Sequence, residues 1–120
     1  MKQSSEELEI VKKYIEMPLL MDIIEVDKRK IEGGELRLKR ELLAYLDSIQ
    51  ERITRDGYEL KKKLKEMDIK IIKQERLAEK LHALYSVRGF EHEMNLLWSK
   101  VRTDALMTLA DYMNIDITDS

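Results

Sequence analysis

The sequence predicts a mainly α protein, an antiparallel bundle of about four helices with a kink near Pro18. Three observations carry that expectation. Ala, Glu, Lys, Leu and Arg supply 59 of the 120 residues, the composition of long amphipathic helices or coiled coils. One proline and four glycines leave few positions where a helix must stop. Apolar residues recur at helical spacing along most of the chain.

Ser4 or Ser5 opens the first helix, and Glu7, three residues after Ser4, completes a capping box. Leu8, Val11, Tyr14 and Ile15 then share a face. Pro18 lacks an amide donor and disfavours helix at Met17, so a break or kink falls there, with a second piece starting on Pro18. That piece buries Leu19, Leu20, Ile23 and Ile24 and turns at Gly33-Gly34. Leu42, Leu46, Ile49 and Ile53, followed by Leu60, Leu64 and Met67, step along one face at coiled-coil spacing. The pattern predicts one long helix over 35–66, running through Gly57.

Residues 68–89 admit two readings. Ile69, Ile71 and Ile72 form a β-branched cluster suited to a short strand. Leu77, Leu81, Leu84 and Tyr85 fit a helix at i, i+4, i+7 and i+8, and helix behind an extended Ile69–Lys73 lead-in is the better local fit. After Gly89, the stripe Met94, Trp98, Val101, Ala105, Leu109 and Tyr112 marks a last helix, stopped by Asn114. Residues 1–120 form one domain by size, with 115–120 a loose acidic tail.

Composition excludes several functions. Without cysteine there is no disulfide, thiolate catalysis or Cys-ligated zinc. The N-terminus lacks the continuous apolar core of a signal peptide. The most apolar stretch, Met17–Val26, is about half the ~20 residues that a membrane span needs. A soluble, cytoplasmic protein without membrane contact is expected. The net charge of −2 divides unevenly, with −3 over 1–51, +4 over 52–87 and −3 over 88–120.

The order Met17-Pro18-Leu19, a long charged helix, Asp68-Ile-Lys-Ile-Ile-Lys73 and Tyr85 through Arg88-Gly89-Phe90-Glu91 resembles the small YhjD-like proteins of Bacillus and relatives. The resemblance spans most of the chain but brings no activity with it. It implies a β-hairpin within 69–88. Against this, Gln74-Glu-Arg-Leu-Ala-Glu-Lys80 stands where the hairpin's turn would fall.

No catalytic or cofactor-binding residue stands out. Glu79 and His82 have the Glu-x-x-His spacing of di-iron bundles, which require two such pairs plus two further glutamates. With two histidines in the chain, only a dimer would supply them, and a surface pair is the better account. Glu91-His92-Glu93 resembles acid–base machinery, but neighbours one apart do not share a helix face, and first-turn glutamates complement the helix dipole. Lys61, Lys62, Lys65, Lys70, Lys73 and Arg76 form one basic run, a candidate nucleic-acid contact. Consecutive lysines fan around a helix, however, and no aromatics interleave. The seam Leu42, Leu46, Ile49, Ile53, Leu60, Leu64 and Met67 is the candidate interface. The expected function is therefore a non-enzymatic interaction or regulatory module, binding a protein partner or itself. A nucleic-acid-associated regulator is the alternative, and a di-metal site across a dimer is a remote third.

Overall fold

The computed structural model describes residues 3–116. Its first element is α1, Ser5–Gly33. Ser4 caps it as the sequence requires: the Glu7 amide donates to Ser4 Oγ at 3.1 Å, and the Ser4 amide donates to Glu7 Oε1 at 2.8 Å. Contrary to the expected break, the chain stays helical through Pro18. The missing amide removes one bond from a 29-residue helix, and packing along both halves of α1 outweighs that loss. The second helix, α2, spans Lys39–Glu66 without interruption at Gly57. Gly57 sits where the two helices approach closely, since a Cβ there would meet Met17 Sδ at 3.3 Å.

Residues 68–97 overturn the helical-bundle expectation. They form an antiparallel meander, β1 (Ile69–Arg76), β2 (Lys80–Val87) and β3 (Phe90–Leu97), in the order β1-β2-β3. The hairpin that the resemblance implies is present as β1–β2, and a third strand extends it. On β2 the residues Leu81, Ala83, Tyr85 and Val87 are all at most 3% exposed, while the residues between them face outward. That period of two is the strand signature. The pairing shifts between Ile71 and Lys73, a bulge that leaves Ile72 half exposed. Arg88 and Gly89, at φ 50° and 86°, form the two-residue β2–β3 turn. Positive φ at both central positions is the type I′ geometry that matches strand twist.

The last helix, α3, spans Trp98–Tyr112, so the stretch Phe90–Leu97 expected to be helical is strand. Trp98 Nε1 donates to the Leu77 carbonyl at 2.7 Å, pinning the start of α3 to the β1–β2 turn. The end of α3 is a Schellman motif: Asn114 takes φ 60°, its amide donates to Asp111 O at 3.1 Å, and the Ile115 amide donates to Ala110 O at 2.9 Å. Of the expected tail, 117–120 lie outside the described residues.

The architecture is α+β, a long helical hairpin with a three-stranded sheet on one end and α3 along its middle. Two apolar clusters hold it. One joins Ile10, Val11 and Ile15 of α1 and Leu64 of α2 to the inner face of the sheet around Tyr85. The other joins Leu20 and Ile24 of α1, Ile49 and Ile53 of α2, and Ala105 and Leu109 of α3.

Candidate functional site

The sheet and α3 cover only part of the helical hairpin. From residue 25 to residue 48, the end of α1, the connection and the start of α2, no side chain is buried. At 1.5 Å per residue, a helix the length of α1 is about 43 Å long, and the molecule extends 55 Å along its main axis. The uncovered end is therefore a projecting tip.

Its sequence combines cations with leucines. Residues 29–40 carry five basic and two acidic side chains, net +3. Arg29, Lys30, Arg37 and Arg40 are exposed and make no salt bridge among the described residues. Between them, Leu36 is 50% and Leu38 61% exposed, with Leu42 and Val26 nearby on the helices. Isolated exposed leucines are ordinary; here two of them alternate in sequence with three exposed or half-buried cations, Arg37, Lys39 and Arg40.

The tip has a rigid base. Gln50, buried between the helices, donates from Nε2 to Glu25 Oε1 at 2.8 Å and accepts at Oε1 from Lys28 Nζ at 3.0 Å. Lys28 also pairs with Asp47 at 2.5 Å. The Gln50 hydrogen bond and the Lys28 charge hold the Glu25 carboxyl below its ordinary pKa, and Asp47 holds the Lys28 ammonium above its own. Lys39 Nζ closes the connection by donating to the Glu32 carbonyl at 2.9 Å. A hairpin so tied presents its loop with little further loss of conformational freedom.

The residues singled out in the sequence are dispersed. Ile49, Ile53 and Leu64 of the heptad stripe are buried within the chain, and Leu46, Leu60 and Met67 pack beside them. The seam is spent on α1, α3 and the sheet, and only Leu42 at its tip end remains 37% exposed. The Glu-x-x-His pair is not helical. Glu79 lies in the β1–β2 turn, and His82, on the outer sheet face, bonds through Nε2 to Glu93 Oε1 at 2.7 Å. No cluster able to hold a metal occurs among the described residues. Glu91-His92-Glu93 lie on β3 rather than in a helical first turn. His92 stacks inward on Tyr85, with centroids 5.6 Å apart, while Glu93 faces outward.

The basic run divides between elements. Lys61, Lys62 and Lys65 are on α2, and Lys70, Lys73 and Arg76 are on β1. Lys73 pairs with Glu75 and Arg76 with Asp22, each at 2.8 Å. From the sequence, the tip is expected only as a turn at Gly33-Gly34. Its signal is the alternation Leu36-Arg-Leu-Lys-Arg40 directly after those glycines. No helix among the described residues is long and apolar enough to cross a membrane.

The family motifs fall at structural joints. Met17 lies against Gly57 where α1 passes α2, and Arg88-Gly89 make the I′ turn from which Arg88 reaches back to Glu7 at 2.6 Å. No curated protein and no solved structure matches the chain. The family model described as YhjD protein matches residues 2–117, almost the entire chain and both of these joints, and the chain belongs to the YhjD family.

Proposed function

We propose that this chain is a non-enzymatic cytoplasmic docking module, using its helical-hairpin tip to bind an acidic, partly apolar surface of a protein partner. The observation that carries this reading is the run 25–48 without a buried side chain, ending in half-exposed leucines among unpaired arginines. An amphipathic helix with acidic flanks fits that chemistry, its apolar residues covering Leu36 and Leu38 and its carboxylates meeting Arg37 and Arg40. Because the heptad seam is consumed inside the fold, a distinct partner is favoured over a second copy. The scattered, partly paired cations around Lys61–Arg76 give nucleic acid no comparable face.

The test is capture from native cells with the wild-type chain and with the Leu36→Glu/Leu38→Glu variant, followed by reconstitution with the purified partner. Fully burying a leucine contributes ~1.5–3 kcal/mol. With 50% and 61% still exposed, the two together contribute about 2–3 kcal/mol on binding. The variant should therefore bind at least about thirtyfold more weakly, with an unchanged melting temperature. Equal binding by the variant overturns the proposal, as does a partner lost on nuclease treatment or binding that goes instead to anionic vesicles.

A further inference from the structure

The three-stranded sheet has two edges, and they differ. β1 is interrupted by the bulge at Ile72 and carries Lys70, Lys73 and Arg76, the last tied to Asp22 on α1. Bulges and lysines are common means of closing a sheet edge to a further strand. β3 has neither. Its residues pair with β2 in unbroken register and include no lysine, arginine or proline.

The register fixes which backbone groups β3 turns outward. The Trp98 amide donates to the Glu79 carbonyl at 3.3 Å. The bonded pairs that continue from it are Leu81–Leu96, Ala83–Met94 and Tyr85–His92. Glu91, Glu93 and Asn95 lie between them and present their amides and carbonyls to the open edge. Among the described residues no hydrogen bond fills those positions. α3 leaves in the other direction: Trp98 Nε1 reaches the Leu77 carbonyl, and Val101 and Arg102 lie beside Arg76 and Ala78 on the β1 side.

The side chains along this edge set a chemical preference. Glu91 and Glu93 stand on the outer face. His82 bonds one oxygen of Glu93, Oε1, and Glu91 has no partner among the described residues. On the inner face Phe90 is 52% exposed and Leu96 is half-buried.

We infer that the open edge of β3 accepts an extended segment of a protein partner as a fourth strand. That segment alternates basic side chains, set beside Glu91 and Glu93, with apolar ones set beside Phe90 and Leu96. A second copy of the chain fits this edge poorly. Two β3 strands paired antiparallel about Glu93 oppose identical carboxylates, and pairing about Met94 sets Glu93 against Asn95, with no cation in either register. Pairing β3 with β1 of a second copy meets the bulge and, being head-to-tail, does not close. The edge lies at the sheet end of the molecule, so this proposal and the one for the tip stand or fall separately.

The experiment is titration of the isotope-labelled full chain with two synthetic peptides of about eight residues, one alternating lysine with valine and the other glutamate with valine. The readout is amide hydrogen exchange, residue by residue. The lysine–valine peptide should bind saturably and slow exchange at Glu91, Glu93 and Asn95 at least about tenfold. Gln74, whose amide faces the open edge of β1, should be unaffected. The glutamate–valine peptide should bind at least about tenfold more weakly, and Glu91→Lys/Glu93→Lys should reverse that preference. Asn95→Pro removes an outward amide and no bond to β2, so it should weaken the lysine–valine peptide without altering charge. Each variant serves if the other fails to fold. Equal binding of the two peptides overturns the inference, as does protection at Gln74 in place of Glu93. So does an absence of saturation, or affinity indifferent to both variants. Protection of the same amides when the chain alone is concentrated also overturns it, since the occupant is then a second copy.

Discussion

Ile53→Ala tests whether the heptad stripe is an internal core or a seam between chains. Ile53 is 1% exposed and packs in the cluster formed by Leu20, Ile24, Ile49, Ala105 and Leu109. The substitution removes three carbons, worth ~0.8 kcal/mol each in transfer free energy, or about 2.4 kcal/mol together. A cavity term is added, because three helices frame the hole and none closes it without disturbing the other two. The total should be about 3–4 kcal/mol, within the ~2–5 kcal/mol found for such truncations. At this chain length, that lowers the melting temperature by about 10–15 °C. Leu42→Ala, on the same stripe but 37% exposed, should cost about 1 kcal/mol or less. Urea and thermal unfolding of both variants, each at two protein concentrations about a hundredfold apart, measure this. Equal costs at the two positions refute the reasoning. So does a wild-type midpoint that rises with concentration, since a dimeric seam is stabilised by mass action.

Three further predictions probe the joints of the fold. Gly89→Ala places a Cβ at φ 86° in the I′ turn and should destabilise by about 1–2 kcal/mol, seen in urea unfolding; a neutral result would mean the turn is not formed. Gly57→Ala gains up to ~1 kcal/mol of helix propensity against a 3.3 Å approach to the flexible tip of Met17. A net gain of about 0.5 kcal/mol is expected, whereas Gly57→Leu should be destabilising. For Glu7, the Arg88 guanidinium and the Ser4 amide pull the carboxyl from 4.5 down to about 2. A depressed carboxylate contributes its stability above pH 4.5 and loses it as the pH falls toward 2. Glu7→Gln should therefore flatten the acid limb of the melting temperature against pH and leave its slope above neutrality unchanged.

The helical parts of this fold were legible because their signals are local. Ser4 and Glu7 specify a capping box wherever they occur before an apolar run, and Asn114 ends a helix because it tolerates the left-handed conformation. The uninterrupted α1 was hidden by a sound rule about Pro18. That rule counts a lost hydrogen bond but not the packing of Val11 and Ile15 on one side and Leu20 and Ile24 on the other, which hold the helix on course.

The family resemblance implies the β1–β2 hairpin, but the local pattern favours helix there and hides the third strand for a different reason. In Leu81-His-Ala-Leu-Tyr-Ser-Val87, Leu84 completes a helical i, i+4, i+7, i+8 pattern with Leu77, Leu81 and Tyr85, and that competes with the true alternation of Leu81, Ala83, Tyr85 and Val87. Leu84 faces outward beside Lys73 and Glu93, and it is the residue that misled. On β3, the helix-favouring Glu, Met and Leu conceal the inward set His92, Met94 and Leu96. Strand preference there comes from cross-strand partners supplied by the rest of the chain.

The same distinction explains why the tip could not be read directly. The tip cations and leucines are contiguous in sequence, yet what makes them a surface is that the fold buries no side chain from 25 to 48, even though Leu46 packs beside the second cluster and the Tyr45 hydroxyl donates to the Met113 carbonyl at 3.3 Å. The sequence instead drew attention to the longer apolar stripe, which the fold spends on itself.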